Sequence, residues 1–260
     1  MVTFFEFATA LAFLLFRRQR AEWVVLETGM GGRLDATNVV TPRVSIITGI
    51  SLEHTEYLGR DIESIAREKG GIIKPGRPVV LGGLPPAARE VLAGLARDLG
   101  APVISAEEAV SIRRKRQDLD GQTVALESGS ESYGTARCPL LGRHQLVNMA
   151  VALAALEALR DSAGLDLAPE AVRDGFAAAR WPARCQVLDR EPLTILDGAH
   201  NPEGAQALAA LLRELRRAAP VGLVAGLCAD KDGGGFFQAL AGPVRRCWTV
   251  PLRSERSADP

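Results

Sequence analysis

The sequence predicts an α/β protein built around a mostly parallel sheet, and three observations carry that prediction. Short apolar runs typical of buried strands alternate with amphipathic stretches typical of helices. Polar or glycine-rich loops follow several of the predicted strands, as expected where a strand leads into a helix. Hydrophobic residues make up 47% and charged residues 24% of the 260 residues, which is ordinary for a soluble globular protein.

The chain begins with an apolar segment, for which we predict a buried helix over residues 3–19. Residues 7–16 (FATALAFLLF) are apolar apart from Thr9, which is too short a run to span a membrane. The basic residues that follow suit the C-terminal end of a helix. A buried strand is predicted next, at residues 23–26 (WVVL).

The following elements continue the alternation of strands and helices. In order, they are a strand at 44–50, a helix at 61–73 capped by Asp61, a strand at 79–83, a helix at 86–100 that ends on a glycine, and a strand at 102–105. Residues 110–128 predict two strands around the hairpin signal Asp120-Gly121, with the basic run 113–116 (RRKR) on a solvated face.

A helix at 140–159 precedes the segment WPAR at 181–184, which we interpret as a hinge. The order strand, loop, helix then occurs twice, over 193–215 and 221–240, and one more strand starts at 247. We therefore predict two domains, 1–180 and 181–260, the second of them short.

The bulk composition argues against several classes of partner and site. The formal net charge is +0, so no overall field recruits nucleic acid or an anionic membrane, and we expect neither as a partner. The four cysteines are scattered and form no C-x-x-C pair, which argues against a zinc or dithiol site. Free thiols in a reducing compartment are the simpler interpretation.

Residues 27–38 (ETGMGGRLDATN) place Glu27 at the end of a predicted strand, followed by three glycines within four residues. A dinucleotide loop, G-x-G-x-x-G, fails because Leu34 stands at the third glycine position. A phosphate loop fails because none of the four lysines follows a glycine. The glycines still let the backbone approach a ligand closely.

Candidate site residues lie where predicted strands end, since ligands of parallel sheets bind there. Glu27 either binds a ligand or has a structural role, as a helix cap or as the ion-pair partner of an arginine such as Arg33. His54, beside two glutamates, indicates a metal or phosphate site or a structural histidine. Asp197 and His200 share a loop and can reach one ligand together. The loop around Asp230 is a further candidate.

Four other residues have an ordinary structural interpretation when each is taken alone. Asp35 and Asn38 are typical of turns, Lys69 is typical of a solvated helix face, and Asn148 is typical of a polar helix surface.

Taken together, these segments make the chain resemble the folylpolyglutamate and dihydrofolate synthases of the Mur ligase superfamily. The resemblance rests, in chain order, on TFFEFATALAF, VVLETGMGGRLDATNVV, ISLEHTEYLG, REKGGIIKPGRPVV, GRHQLVNMAVALAAL, WPARCQVL and LDGAHNP. It implies a P-loop-NTPase-like domain that lacks its P-loop unit, followed by an incomplete Rossmann-like domain.

The resemblance also implies roles for the candidate residues. Glu27, His54 and a carbamylated Lys69 would bind magnesium, with two ions expected, and Asp35 would contact the pterin. Asn148, Arg184 and Asp197 would bind ATP, and His200 would lie near the transferred phosphate and the incoming glutamate. Lys69 and His200 are the residues we expect to be catalytic.

The implied reaction is the ATP-dependent addition of L-glutamate to dihydropteroate or a folate, in two steps. The substrate carboxylate first attacks the γ-phosphate to give an acyl phosphate, and the glutamate amine then forms the amide. Closure of the second domain would bring its residues over the nucleotide. A cytoplasmic monomer is the expected form.

This sequence also departs from the family pattern, because the glycine-lysine phosphate loop that is the family's first signature is absent. We expect a chain truncated at both ends, inactive alone, with a sheet edge and the apolar face of 7–16 uncovered. Two alternatives stay open. One is a non-catalytic folate-binding module, and the other is a Mur-type ligase with another amino-acid acceptor.

Overall fold

The computed structural model describes residues 2–53, 55–129, 131–215 and 220–259. The α/β class is confirmed. The chain forms two compact units, which we call unit 1 (Met1–Val110 with Ala150–Leu167) and unit 2 (Ser111–Met149 with Ala168–Pro260). In the described part of the chain, no helix combines the length and apolarity needed to cross a membrane.

Unit 1 contains a parallel three-stranded sheet with helices between its strands. Its elements are α1 (Phe4–Arg18), a 3₁₀ helix (Ala36–Val39), β1 (Ser45–Ile47), α2 (Thr55–Leu58), α3 (Ile62–Gly70), β2 (Val79–Leu81), α4 (Pro86–Asp98), β3 (Val103–Ser105) and α5 (Ala106–Ala109). The order is β1-β2-β3, with Ser45 opposite Val79 and Val79 opposite Val103. The strands predicted at 44–50, 79–83 and 102–105 are confirmed.

The helices of unit 1 form where the sequence supplies caps and an apolar face. The Asp61 side chain accepts a hydrogen bond from the Ser64 N–H, which satisfies an N-terminal donor of α3. Ile65 and Leu92, on α3 and α4, are fully buried in one core. Gly100 adopts a left-handed φ of 59° just beyond α4, so the predicted glycine end is confirmed.

Two predictions at the start of the chain are wrong. α1 has the predicted bounds within one residue, but none of its residues is buried and Phe4 is 86% exposed. Residues 23–26 form no strand, and Val25 is 94% exposed. An apolar run becomes a strand only when a ladder pairs its backbone, and none joins these residues within the described ranges. The expected uncovered apolar face is confirmed.

Unit 2 carries two kinds of strand pairing. The elements from residue 110 on are β4 (Val110–Asp118), β5 (Gly121–Ser128), β6 (Ser132–Cys138), α6 (His144–Ala163), α7 (Pro169–Ala178), β7 (Gln186–Arg190), β8 (Leu193–Leu196), α8 (Pro202–Glu214), β9 (Val221–Ala225), α9 (Gly233–Leu240) and β10 (Val244–Thr249). From Ala150 on, α6 belongs to unit 1. The hairpin β4-β5 continues into β6, β7 pairs antiparallel with β8, and β9 pairs parallel with β10.

β6 was not predicted, and its sequence explains why. Its buried residues, Tyr133, Ala136 and Cys138, do not alternate regularly. Gly134 interrupts the run with a left-handed φ of 78°. The pairing with β5 also shifts register between Leu126 and Glu127. A period-two search therefore misses this strand.

The basic run on β4 is solvated as predicted except at Arg114. Its Nη1 donates to Glu214 Oε2 at 2.8 Å, at the end of α8, and Arg143 also pairs with Glu214. The hydrogen bond from Arg114 is the main cause that lowers the pKa of Glu214 to about 2, against a raising effect of burial. The pair therefore ties β4 to α8 within unit 2.

Replacing Glu214 by Gln is expected to lower the free energy of unfolding by roughly 1–3 kcal/mol at pH 7, because both arginines lose a charged partner. The pKa of Glu214 is depressed in the folded state, so its contribution is present above pH 4.5 and is lost as the pH falls towards about 2. Urea titrations of wild type and variant from pH 7 to 2 should converge at the acid end. The exposed Glu255 gives the matched control, Glu255→Gln. A constant gap at every pH would contradict this interpretation.

Candidate functional site

The glycine loop that follows Glu27 is held against the last turn of α3 in unit 1. The Arg33 N–H donates to the Glu68 carbonyl at 2.8 Å, and the Arg33 Nη2 pairs with the Glu68 carboxylate at 2.9 Å. A Cβ placed on Gly71 would lie 2.4 Å from the Arg33 Cα, and one on Gly32 would lie 2.8 Å from the Lys69 carbonyl oxygen. The glycines thus permit a backbone approach that any side chain would block.

A third glycine makes room for α1. A Cβ on Gly29 would lie 2.5 Å from the Phe5 ring, so the ring packs directly on the loop backbone. The segment from α1 to α3 is therefore one packed assembly around the loop, although most of the α1 surface is exposed.

Asp35 organises the same loop with all of its acceptor positions. Its Oδ2 accepts the N–H groups of Gly29 (2.8 Å) and Met30 (3.0 Å). Its Oδ1 accepts the N–H (2.9 Å) and the hydroxyl (2.6 Å) of Thr37. Burial would raise the pKa of Asp35, but these four hydrogen bonds outweigh it and lower the pKa. In this conformation the carboxylate holds the loop, and its contact with a pterin stays a prediction.

Replacing Asp35 by Asn is expected to destabilise the protein by roughly 1–3 kcal/mol, because an amide nitrogen cannot accept the bonds that one oxygen now accepts. The pKa of Asp35 is lowered on folding, so the wild-type advantage is full above its unfolded pKa and disappears as the pH falls through the folded value. Thermal unfolding at pH 7 and pH 2.5 measures both effects. Asp61→Asn is the control, because Asn caps a helix about as well as Asp. Equal losses in the two variants would refute the role.

The predicted metal ligands are placed only in part. Glu27 is exposed and directly precedes the glycine loop, and Lys69 is half-buried in the last turn of α3. His54 lies outside the described residues. Within the described ranges, no three His, Cys, Asp or Glu side chains come together as a metal site. An unmodified Lys69 ammonium would repel a cation, so only its carbamate, with anionic oxygen donors, fits Mg²⁺.

In unit 2, Asp197 joins the end of β8 to the turn before β7. Its Oδ2 accepts the Cys185 N–H at 2.7 Å and the Cys185 thiol at 3.2 Å. Its Oδ1 accepts the Ala199 N–H at 2.9 Å. The Gly198 N–H donates to the Ala183 carbonyl at 2.7 Å. These bonds fix the turn that presents Arg184.

That turn has an unusual backbone. Ala183 and Cys185 adopt left-handed φ values of 56° and 49°, which cost energy for residues with a Cβ. Arg184, between them, is exposed, whereas Cys185 is buried. Burial, followed by the neighbouring Asp197 carboxylate, raises the pKa of the Cys185 thiol well above its usual range. The thiol is therefore a protonated donor to Asp197 and is not a nucleophile.

His200 stands on the same loop, three residues after Asp197. It is exposed, and its Nδ1 lies 2.9 Å from the Gly198 carbonyl oxygen. Because a carbonyl only accepts, Nδ1 carries the hydrogen, and Nε2 is the acceptor of the neutral ring. The Asn201 side chain caps α8 by accepting the Gly204 N–H at 2.7 Å. The strand, loop and helix predicted here are confirmed.

Sequence reasoning missed His144, the first residue of α6. Its Nε2 lies 3.1 Å from the Gln145 amide nitrogen, and Asn148 donates to the Gln145 oxygen at 3.0 Å. Burial lowers the pKa of His144; Asp197 partly opposes this effect, while Arg184 adds to it. His144 and Asn148 therefore share Gln145 as a hydrogen-bond partner, and the charges of Asp197 and Arg184 act on the His144 ring. The rarity of histidine could have indicated this residue, since His144 is one of only three histidines in the sequence.

The His144 ring also leaves one donor unused. The Gln145 amide donates to Nε2, so the hydrogen of the neutral ring is on Nδ1. Nδ1 is buried and has no hydrogen-bond partner within the described residues. A buried donor of this kind is costly unless a ligand atom accepts from it.

The chain is similar to known proteins along its whole length. The Mur ligase middle domain family matches residues 3–156, and the Mur ligase glutamate ligase domain family matches residues 183–260. Folylpolyglutamate synthase of Lacticaseibacillus casei is 36% identical over 259 residues, which are 100% of this chain and 60% of that protein. The dihydrofolate synthase/folylpolyglutamate synthase of Mycobacterium tuberculosis is 39% identical over 244 residues, 91% of this chain and 50% of that protein.

Solved structures give the same result. An FPGS–AMPPCP–folate complex superposes with a TM-score of 0.93 at 36% identity, covering 100% of this chain and 63% of that chain. Escherichia coli FolC in complex with DHPP and ADP has a TM-score of 0.85 at 36% identity, covering 99% and 59%. This chain therefore spans half to about three fifths of the length of these relatives.

Proposed function

We propose that this chain, which belongs to the Mur ligase family, is part of an ATP-dependent ligase that adds L-glutamate to dihydropteroate, a folate or both. The observation that carries the proposal is similarity, over the entire chain, to synthases solved with a nucleotide analogue and with folate or DHPP. We also propose the division into domains 1–180 and 181–260, and the family matches at residues 3–156 and 183–260 support it.

The nucleotide is proposed to bind in unit 2, at the turn fixed by Asp197. The exposed Arg184 guanidinium would stabilise phosphate charge, since it stands on a rigid turn and is not held by an ion pair within the described residues. The unused Nδ1 donor of His144 and the exposed Asn148 amide supply polar contacts for the nucleotide next to that charge. The acceptor Nε2 of His200 is suited to take a proton from the attacking glutamate amine.

The acyl substrate and the metal are proposed to bind in unit 1. Glu27 offers a carboxylate beside a loop whose backbone can approach a ligand, and a carbamylated Lys69 offers anionic oxygens from α3. Together with His54 they would hold two magnesium ions. Bound Mg²⁺ would offset the negative charge of the phosphates during transfer.

The two steps place different demands on these residues. Phosphorylation of the substrate carboxylate needs the nucleotide oriented and its charge neutralised, which is the role proposed for Arg184 and Lys69. Attack by glutamate on the acyl phosphate needs a neutral amine, which is the role proposed for His200. Phosphate then leaves and the amide bond forms.

The 260-residue chain alone is expected to add no glutamate to any folate, because its sequence holds no glycine-lysine phosphate loop to bind the nucleotide. The measurement is incorporation of radiolabelled glutamate into tetrahydrofolate or dihydropteroate with ATP and Mg²⁺. Glutamate transfer by the purified chain would overturn this expectation. If longer polypeptides that include this chain also bound folate but transferred no glutamate, a non-catalytic binding module would be favoured.

A chimera tests the chemistry. This chain replaces the matching part of the Lacticaseibacillus casei synthase, which supplies the remaining two fifths of the protein. With ATP, Mg²⁺ and tetrahydrofolate but no amino acid, added hydroxylamine should trap a folate hydroxamate in step with ADP release. A folded chimera that later forms product without any hydroxamate would argue against an acyl phosphate.

A further inference from the structure

A short linker in unit 2, residues 140–142, joins β6 to α6 and is connected to both parts of the proposed nucleotide site. At its end the chain enters α6, whose first residue is His144. In its middle, the buried Leu141 side chain lies in the same hydrophobic core as Cys185, whose N–H and thiol donate to Asp197. A shift of this linker would therefore move the His144 ring relative to the turn that Asp197 fixes.

The backbone of the linker is held by one buried side chain of β5. Gln122 is 0% exposed, and its Nε2 donates to the Leu140 carbonyl at 2.8 Å and to the Gly142 carbonyl at 3.0 Å. The amide thus uses both of its hydrogens on the two carbonyls that flank Leu141. Its Oε1 accepts from Arg114 Nη1 at 3.4 Å. The opposite amide orientation would place an oxygen against two carbonyl oxygens, so the donors are fixed towards the linker.

Gly142 passes the position of the linker on to the His144 ring. Its φ is 100°, a conformation that favours glycine. A Cβ placed on Gly142 would lie 2.6 Å from His144 Cε1 and 2.8 Å from Nδ1, so the ring lies directly against this backbone. Gln117 supports the same residue, because its Oε1 accepts the Gly142 N–H at 3.4 Å. The place of the Nδ1 donor therefore depends on where the Gly142 backbone is held.

We propose that Gln122 is a positioning residue of the nucleotide site, which sets the His144 ring relative to the Asp197 turn. It acts by holding the two carbonyls on either side of Leu141, and because it is completely buried it does not touch the nucleotide. The inference rests on the nucleotide site proposed above and adds a residue on β5 that lies outside it. A glutamine that only stabilised the core would change stability, whereas a positioning residue also changes nucleotide affinity in folded protein.

The kinetic test replaces Gln122 by Met in the chimera with the Lacticaseibacillus casei synthase. Methionine has a similar length but donates no hydrogen bond. The KM for ATP and the Kd of AMPPCP are expected to rise about 10-fold, as for the net loss of one buried hydrogen bond. The kcat and the KM for glutamate should stay within about twofold, as expected away from the groups that they report.

Two further variants accompany this test. Gln122→Asn keeps the amide but is one methylene too short to reach both carbonyls, so it should give the same change at about threefold, and it serves if Gln122→Met does not fold. Arg173→Met is the matched control, because it removes the hydrogen bond from Arg173 Nη1 to the Tyr133 carbonyl (2.9 Å), between α7 and β6 of the same unit. It should lower Tm and leave the constants for ATP unchanged.

A second test uses the 260-residue chain and does not depend on the reaction. With ¹⁵N-labelled histidine, the buried His144 Nδ1–H should give a proton signal that exchanges slowly with solvent, assigned by its loss in His144→Gln. Both Gln122 variants should speed this exchange about 10-fold or more, and Arg173→Met should not. If the wild-type chimera bound no AMPPCP, the proposed function would fail, while the signal would still show whether Gln122 fixes the ring.

Two results would overturn the role of Gln122. One is a folded Gln122→Met or Gln122→Asn variant with wild-type His144 exchange and wild-type constants for ATP. The other is a loss of equal size for ATP and for glutamate, which would make Gln122 a residue of the core alone.

Discussion

Replacing Asp197 by Asn in the chimeric synthase is expected to lower kcat/KM for ATP by about 10²- to 10³-fold, within the range seen when an oriented polar contact at an active site is lost. The Asp197 carboxylate accepts from the Cys185 N–H, the Cys185 thiol and the Ala199 N–H, and an amide cannot accept on both sides. The turn that presents Arg184 would then relax from its strained backbone. Steady-state kinetics with varied ATP, together with the Kd of AMPPCP, measure the effect.

Asp189→Asn is the matched control for this prediction. Asp189 is an exposed aspartate in the same unit, and among the described residues it accepts only from the neighbouring Arg190 and Glu191 N–H groups. The Asp189→Asn variant should keep kcat/KM for ATP within about twofold of the unsubstituted chimera, as expected for a surface substitution. A loss confined to stability, with kinetics at wild-type level in the folded fraction, would show that Asp197 is structural only.

Replacing Lys69 by Arg is expected to reduce kcat by about 10- to 100-fold, as for the loss of a metal-supporting group. A guanidinium keeps the positive charge but cannot form the carbamate that we propose for this position. The wild-type chimera should also lose activity when dissolved CO₂ is removed and regain it with bicarbonate, whereas Lys69→Arg should not respond. Assays of glutamate addition with and without bicarbonate measure both effects.

Lys74→Arg is the control for the lysine. Lys74 lies in the same unit and its Nζ donates to the Asn38 carbonyl at 3.1 Å, which arginine can also do. It should stay within about threefold of wild type and keep the bicarbonate response. If Lys69→Arg retained full activity, or if bicarbonate acted equally on both variants, the carbamate would be ruled out.

The elements that the sequence predicted well are those whose local signals agree. α3 has a capping aspartate and α4 has a proline in its first turn, and both helices have an apolar face and a glycine at or just beyond their end. β1, β2 and β3 are short apolar runs that alternate with these helices. Their residues largely determine the structure by themselves. The same holds for the loop from Asp197 to Asn201, whose polar side chains satisfy neighbouring backbone groups.

The wrong predictions concern features that depend on a distant partner. Residues 23–26 have the composition of a strand but no ladder, and α1 has an apolar surface but no core against it. A strand needs a partner strand and a buried helix needs a surface to pack against, so neither can be inferred from one segment alone. Arg114 shows the converse, because Glu214, 100 positions away, makes one residue of a solvated run a structural one.

At the candidate site, the sequence identified the residue types but not the hydrogen-bond directions. The resemblance predicts that Asp35 contacts a pterin, which stays a prediction, and nothing in the sequence indicates that its carboxylate accepts four hydrogen bonds from the loop. His144 was missed because a lone histidine at the start of an apolar helix gives no periodic signal. Only the three-dimensional arrangement shows its unused buried donor near Asp197 and Arg184.

The most direct test of the proposed ligase function is glutamate addition by the chimera. Folded chimera, ATP, Mg²⁺ and either dihydropteroate or tetrahydrofolate are incubated separately with glutamate, alanine and lysine, and the products are identified by mass spectrometry. We expect an ATP-dependent product that carries one added glutamate, and none with the other two amino acids. A product with another amino acid but not with glutamate, or no product from a chimera that binds AMPPCP, would contradict it.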